Sequence, residues 1–321
     1  MRLPLSTVVL AAAFAATTAA AQQYPARPIR VYIPFTAGSA ADIIARAMEP
    51  ALRERLGQPL VIDNRGGAGG NIAAEQTAKS APDGYTLMMA TIGTHAINLA
   101  LYAKLPYHPQ RDFTPVALVG ESPNVLVVHP SVPVKSIREL IALARSKPGQ
   151  LNYGSSGAGT SVHLSAELFS SMTGVRMVHV PFKGATEALT ALLGGQLDLM
   201  FASVSSSIPL IKAGRLRAFA VTGAQRSPSL PDMPTMAEAA LPGYAAAAWY
   251  GIVGPAGLPP NIVNSLQNTA LAVLGMNDVK ARLFASGVEV RSGTADEFAR
   301  LIDAEIVKWA KVVKDSGAKA E

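Results

Sequence analysis

Along most of this chain, short apolar runs alternate with longer stretches in which apolar residues recur every three or four positions. Ile29 to Ile33 reads as a buried strand. From Ala40 the spacing turns helical and holds through Leu56, where Gly57 supplies a stop. A strand at Leu60 to Ile62, a glycine-rich turn at Gly66 to Gly70 and a helix repeat the arrangement. A third strand in YTLMMAT is followed by a polar turn at Thr91 to Thr94. Val125 to Val128 opens a second set, in which Ser136 reads as a helix N-cap and Glu139 as its capping-box partner. Two or three further units follow LNYGS, and WYGIVGPAGLPP returns to a strand, a proline-rich loop and helices. Pro228 to Pro242 is rich in proline and is expected on the surface. Strands alternating with helices predict parallel sheets in an α/β fold of two lobes.

The first residues follow another rule. MRLPLSTVVLAAAFAATTAAAQQ places Arg2 before an apolar run and ends it with Ala19, Ala20 and Ala21. That is the order of a cleaved secretory signal, predicted over residues 1–21 and implying a periplasmic mature chain. The length of 321 residues accommodates two lobes, and 49% hydrophobic with 16% charged residues describes a globular chain. The net charge of +6 is scattered, with no basic run that would track phosphates, so nucleic acid is not an expected partner. The absence of cysteine removes thiol nucleophiles, disulfides and cysteine-held zinc or iron–sulfur sites.

Polar, glycine-containing loops recur between expected strands and helices: PFTAGSAAD (34–42), TIGTHA (91–96), GSSGAGTS (154–161) and PFKGATEA (181–188). In open parallel sheets, ligands sit at the carboxyl ends of strands, where helix N-termini offer free amides and partial positive charge. Several such loops meeting in one cleft suit a carboxylate or phosphate. Enzyme motifs fail: GSSGAG is not a nucleophile elbow, GGAGGNI breaks the dinucleotide fingerprint, and no phosphate-binding P-loop or HExxH occurs. No cofactor, metal or catalytic residue is expected, and no base is expected beside the Ser155–Thr160 stretch. His163, in a first helical turn, reads either as a ligand contact or as a packed histidine. Lys183 reads as an anion partner or a solvated lysine, and Asp42 as an organiser of the first helix turn. Asp198 reads as structural, Trp249 and Tyr250 as core packing or a cleft wall, and Gly66–Gly70 as a tight turn without ligand contact.

Taken in order, YPARPIRVYIPFTAGSAAD, LGQPLVIDNRGGAGGNIAAE, APDGYTLMMAT, LNYGSSGAGTSVHLSAELF, VPFKGATEALTALLGGQLDLMF, LPDMPTMAEA and WYGIVGPAGLP resemble the Bug (TctC) family of periplasmic receptors of tripartite tricarboxylate transporters. The resemblance covers nearly the whole chain after the signal. It implies a two-lobed periplasmic-binding-protein fold that closes like a flytrap, each lobe a sheet flanked by helices. Lobe 1 would hold residues 22–124 plus 244–321, and lobe 2 residues 125–243. It further implies a small organic carboxylate as ligand, membrane transporter subunits as partners and a monomeric receptor. Alternatives are a sensor feeding a signalling kinase, or a hydrolase-like α/β enzyme. By motif match, ligand contacts would come from Phe35, Thr36, Ala37, Gly38, Ser39 and Ala40, with Asp42 beside them, and from Thr91 and its neighbour His95. Lobe 2 would add Ser155, Ser156, Gly157, Gly159, Thr160 and His163, then Lys183, Gly184, Ala185 and Ser203. Three departures from the family pattern favour a less polar acid: Ser39 in place of a second glycine, Phe182 in place of tyrosine, and Ala202-Ser203 in place of Asp-Asn.

Overall fold

A computed structural model describes residues 24–319 of the protein; the expected signal segment, 1–21, lies outside them. The first half of the chain forms β1 (Ile29–Ile33), α1 (Ala40–Leu56), β2 (Leu60–Asn64), α2 (Asn71–Ala78), β3 (Thr86–Thr91), α3 (Asn98–Leu101) and β4 (Phe113–Val128). Then come α4 (Ile137–Ser146), β5 (Asn152–Ser155), α5 (Ser161–Thr173), β6 (Val178–Pro181), α6 (Ala185–Leu193), β7 (Leu199–Ser203), α7 (Val204–Lys212) and β8 (Arg217–Val221). The chain closes with α8 (Met236–Ala239), β9 (Ala247–Pro255), α9 (Pro260–Leu274), α10 (Asn277–Ala285) and α11 (Ala295–Ser316). Helix α1 shows how local chemistry sets bounds. The Ser39 hydroxyl accepts the Asp42 amide at its start, and Gly57, at φ +69°, donates back to the Arg53 carbonyl at its end.

Strand β4 makes two lobes out of one run of strands. Phe113 to Pro123 pairs with β9, whereas Asn124 to Val128 pairs with β7 and β8, all antiparallel. The first lobe therefore has the order β2-β1-β3-β9-β4 and the second β6-β5-β7-β4-β8. The two orders correspond strand for strand: three parallel strands, an antiparallel strand lent by the crossing chain, and a last strand. Loops after β1, β2 and β3 thus have counterparts after β5, β6 and β7. Helix α11 packs on β4 and α3 of the first lobe and on α5 of the second.

Several expectations change. The strand expected at Val125–Val128 begins twelve residues earlier, at Phe113. Pro115 and Gly120 flank register shifts in the ladder with β9, and Pro123 sits where β4 changes partner. The polar turn expected after β3 is a π-helical turn, Gly93–Ile97, that runs into α3 and buries Ala96 and Ile97. Pro228–Pro242 is not all surface: Thr235 and Glu238 cap α8 reciprocally, and Met236 is fully buried. The Ser136 hydroxyl accepts the Glu139 amide as expected, but the Glu139 carboxylate reaches the Lys135 amide at 2.7 Å instead of that of Ser136. Asp198 accepts the Asn152 amide at 2.7 Å, a structural role, and Trp249 is buried edge-on to Phe298 in the core.

The crossing between lobes is tied at Thr222. Its hydroxyl accepts the Asn124 amide at 2.8 Å and donates to the Ala246 carbonyl, while its own amide donates to the Asn124 carbonyl at 2.8 Å. Thr222→Val keeps the shape but strands the buried Asn124 amide. It should cost about 1–3 kcal/mol and lower Tm by several degrees, measured by thermal and denaturant unfolding.

Candidate functional site

The loops after β1, β2, β3, β5 and β6 meet where the lobes face each other. A methyl group on Gly93 would lie 2.9 Å from the Gly159 carbonyl oxygen, and one on Gly69 3.1 Å from that of Ala158. One on Gly184 would lie 4.0 Å from Thr36 Oγ1, and one on Gly66 3.5 Å from the Thr36 amide. Residues of the first lobe therefore approach residues of the second at backbone distance. Ser203 ends β7, the strand beside β5, and leads into α7. The Gly66–Gly70 turn, expected as a tight turn without ligand contact, brings Gly69 to this junction.

In the first lobe, Thr36, Ala37 and Gly38 are exposed, with Phe35, Ser39 and Ala40 half-buried. The loop is held from below. The Gly38 amide donates to Asp42 Oδ2 at 2.9 Å, and Asn64 Nδ2 donates to the Phe35 carbonyl at 3.0 Å. Arg46 Nε reaches both Asp42 oxygens, at 2.9 and 3.0 Å. Burial pushes the Asp42 carboxyl up, but hydrogen bonds from Arg46, Gly38 and Asn64, with the Arg46 charge, hold it below the ordinary aspartate value. Asp42 is thus an ionised brace beneath the loop, with 3% of its surface exposed.

In the second lobe, Thr160 caps α5 by accepting the His163 amide. The Gly159 amide donates to His163 Nδ1 at 3.2 Å, and the Gly157 amide to Ser155 Oγ at 3.1 Å. Ser155 Oγ lies 2.6 Å from His179 Nε2. The expectation that no base stands beside the serine stretch is therefore overturned, because β6 carries His179 there from 24 residues away in sequence. No carboxylate orients His179 among the described residues, and Ser155 is fully buried, so the pair braces the loop and exposes no nucleophile. The His163 and His179 rings stack at 3.9 Å, and the Tyr153 ring stacks on His179 at 5.0 Å. Tyr153 donates its hydroxyl to Glu167, whose carboxylate lies 3.7 Å from His163 Nε2.

The remaining candidates are dispersed. His95 is fully buried, with Nδ1 2.9 Å from the Thr94 hydroxyl and its ring edge-on to Phe113, so it offers no surface to the cleft. Thr91 is buried too, sharing hydrogen bonds with Thr94. His163 is buried with one ring nitrogen accepting from Gly159 and the other facing Glu167. Lys183 is exposed and Gly184 begins α6 without a side-chain cap; Ala185 follows half-buried. Sequence reading missed Asn64, Glu167 and His179. The spacing of His163 and Glu167, four apart on a helix, could have revealed one pair; nothing local foretells His179.

These features define a two-lobed binding protein with amide-rich loops at the cleft. The chain belongs to the TctC family, the tripartite tricarboxylate transporter family receptors, whose pattern matches residues 44–318. It is 36% identical over 313 residues to Protein BugT of Bordetella pertussis, covering 97% of this chain and 96% of that one. It superposes on an R. palustris protein solved with adipate at a TM-score of 0.87 and 42% identity, covering 93% of this chain and all of the other. MatC from Rhodopseudomonas palustris, solved with bound malate, gives 0.84 and 36%, covering 90% of this chain and all of MatC.

Two tests follow from the geometry. Burial depresses the imidazoles of His95 and His163 from 6.5 to about 3 and that of His179 to about 4, with the neighbouring His179 adding to the effect on His163. Below 6.5 the unfolded chain takes up protons that the fold refuses, so stability falls as pH falls from 7 to 5. Each histidine should contribute about 2 kcal/mol of that loss, read by denaturant unfolding at both values; a flat profile would contradict their buried neutrality. Gly93→Ala places its methyl against the Gly159 carbonyl. It should weaken ligand binding about tenfold by opposing closure, with Tm of the unliganded protein shifted by no more than about 2 °C.

Proposed function

We propose that the protein is a periplasmic receptor that holds a small organic carboxylate between its lobes and passes it to the membrane subunits of a tripartite tricarboxylate transporter. One observation carries this reading. Loops from both lobes meet at the cleft with amides that donate to no protein acceptor among the described residues: Thr36 and Ala37 on one side, Ser156 and Ala158 on the other. Helices α1, α5 and α6 begin at these loops, and their positive ends add to the preference for an anion. Such ends in both lobes, that of α1 in the first and those of α5 and α6 in the second, suit a molecule with a carboxylate at both ends. Phe35 and Phe182, half-buried beside the two loops, with Ala202-Ser203 at the end of β7, favour an apolar middle. The adipate held by the 42% identical R. palustris protein has that shape. In this reading residues 22–124 and 244–321 form lobe 1, and 125–243 lobe 2.

The test is a thermal-shift screen on mature protein refolded to strip carried-over ligand. The panel holds aliphatic dicarboxylates, hydroxy-dicarboxylates, acidic amino acids, aromatic acids and phosphate esters. A ligand at about 100 times its Kd should stabilise the fold by about 2.7 kcal/mol, a rise of several degrees. Aliphatic dicarboxylates should give the largest rise. A rise with phosphate esters alone would overturn the carboxylate reading, and one largest with aspartate or glutamate would overturn the preference for a less polar acid.

A further inference from the structure

The two halves of the site are built alike down to single hydrogen bonds. In the first lobe a glycine at φ +81°, Gly38, precedes the cap Ser39, and the third helical residue, Asp42, accepts the glycine amide. In the second, Gly159 at φ +79° precedes the cap Thr160, and the third helical residue, His163, accepts the glycine amide. Four residues further on, each acceptor meets a partner of opposite kind: Arg46 for Asp42, Glu167 for His163. The chemistry differs while the geometry repeats.

We infer that His163 is a positioning residue for this site: as a neutral imidazole it accepts the Gly159 amide and so turns the amides of Ser156 and Ala158 toward the ligand. The inference rests on the carboxylate-receptor reading. Its support is an alternation along the loop. The amides of Gly157 and Gly159 are tied inward, to Ser155 and His163, and those between them, Ser156 and Ala158, have no protein acceptor among the described residues. The Ser155–His179 contact and the 3.9 Å ring stack join the two inward ties into one brace. With Nδ1 accepting, the ring proton sits on Nε2, on the side of the Glu167 carboxylate 3.7 Å away. An aspartate at position 163 could accept the same amide, but its charge would lie beside Glu167 and beneath the amides meant for an anion.

The test uses the full mature protein, with adipate and malate as calorimetric probes, and three variants. His163→Asn keeps an uncharged acceptor near the Nδ1 position and should bind within about threefold of wild type. His163→Leu removes the acceptor and should bind about thirtyfold more weakly. His163→Asp keeps the acceptor and adds charge, and should bind about tenfold more weakly than His163→Asn. Amide exchange of Gly159 in the unliganded protein should be slow in wild type, Asn and Asp, and fast in Leu. Equal binding by wild type and Leu, equal binding by Asn and Asp, or unchanged Gly159 exchange in Leu would overturn the inference. If Leu does not fold, the Asn–Asp comparison decides. If wild type binds neither probe, the carboxylate reading fails, and Gly159 exchange still decides whether His163 holds the loop.

Discussion

The site depends on where a few backbone amides point. A cleft loop has more N–H groups than an anion can use, and each tends to find an acceptor within the protein. Here side chains at the third helical position take one amide from each loop, that of Gly38 or Gly159, and fix the direction of its neighbours. Glycine is required at both places because the backbone there is left-handed. Asn64 holds the Phe35 carbonyl from the neighbouring strand, and the Ser155–His179 pair does similar work across the sheet. The donors are thus oriented before any ligand arrives, which reduces the ordering cost of binding.

That preorganisation needs the two lobes in register. Strand β4 supplies it by serving one sheet up to Pro123 and the other from Asn124. Thr222 ties the returning chain to the same point. Helix α11 packs against elements of both lobes, so the C-terminal part of the chain belongs to the junction as well as to the first sheet. The two sheets are thus joined by a short crossing stitched by hydrogen bonds.

The buried histidines show how composition misleads without packing. The chain has five histidines, of which His95 and His163 were expected as ligand contacts. Burial holds three of them neutral, and each of those three is committed to a neighbour within the protein. Ser155, fully buried against His179, braces a loop.

What could be read along the chain was local. The bounds of α1, with Ser39 before it and Gly57 after it, follow from helical spacing, a side-chain cap and a left-handed stop, all within a few residues of one another. The alternation of strands and helices gave the α/β class, and the glycine-rich loops marked where a ligand could sit. The fold decided what depends on residues far apart. Strand β4 runs through Pro115, Gly120 and Pro123 because the ladder with β9 accommodates its bulges and a change of partner absorbs Pro123. His179 joins Ser155 only because β5 and β6 lie side by side, and Gly93 meets Gly159 only because two lobes face each other. Caps and periodicity are short-range forces written in adjacent residues. The facing of loops is set by sheet pairing and lobe crossing, which no short window of sequence contains.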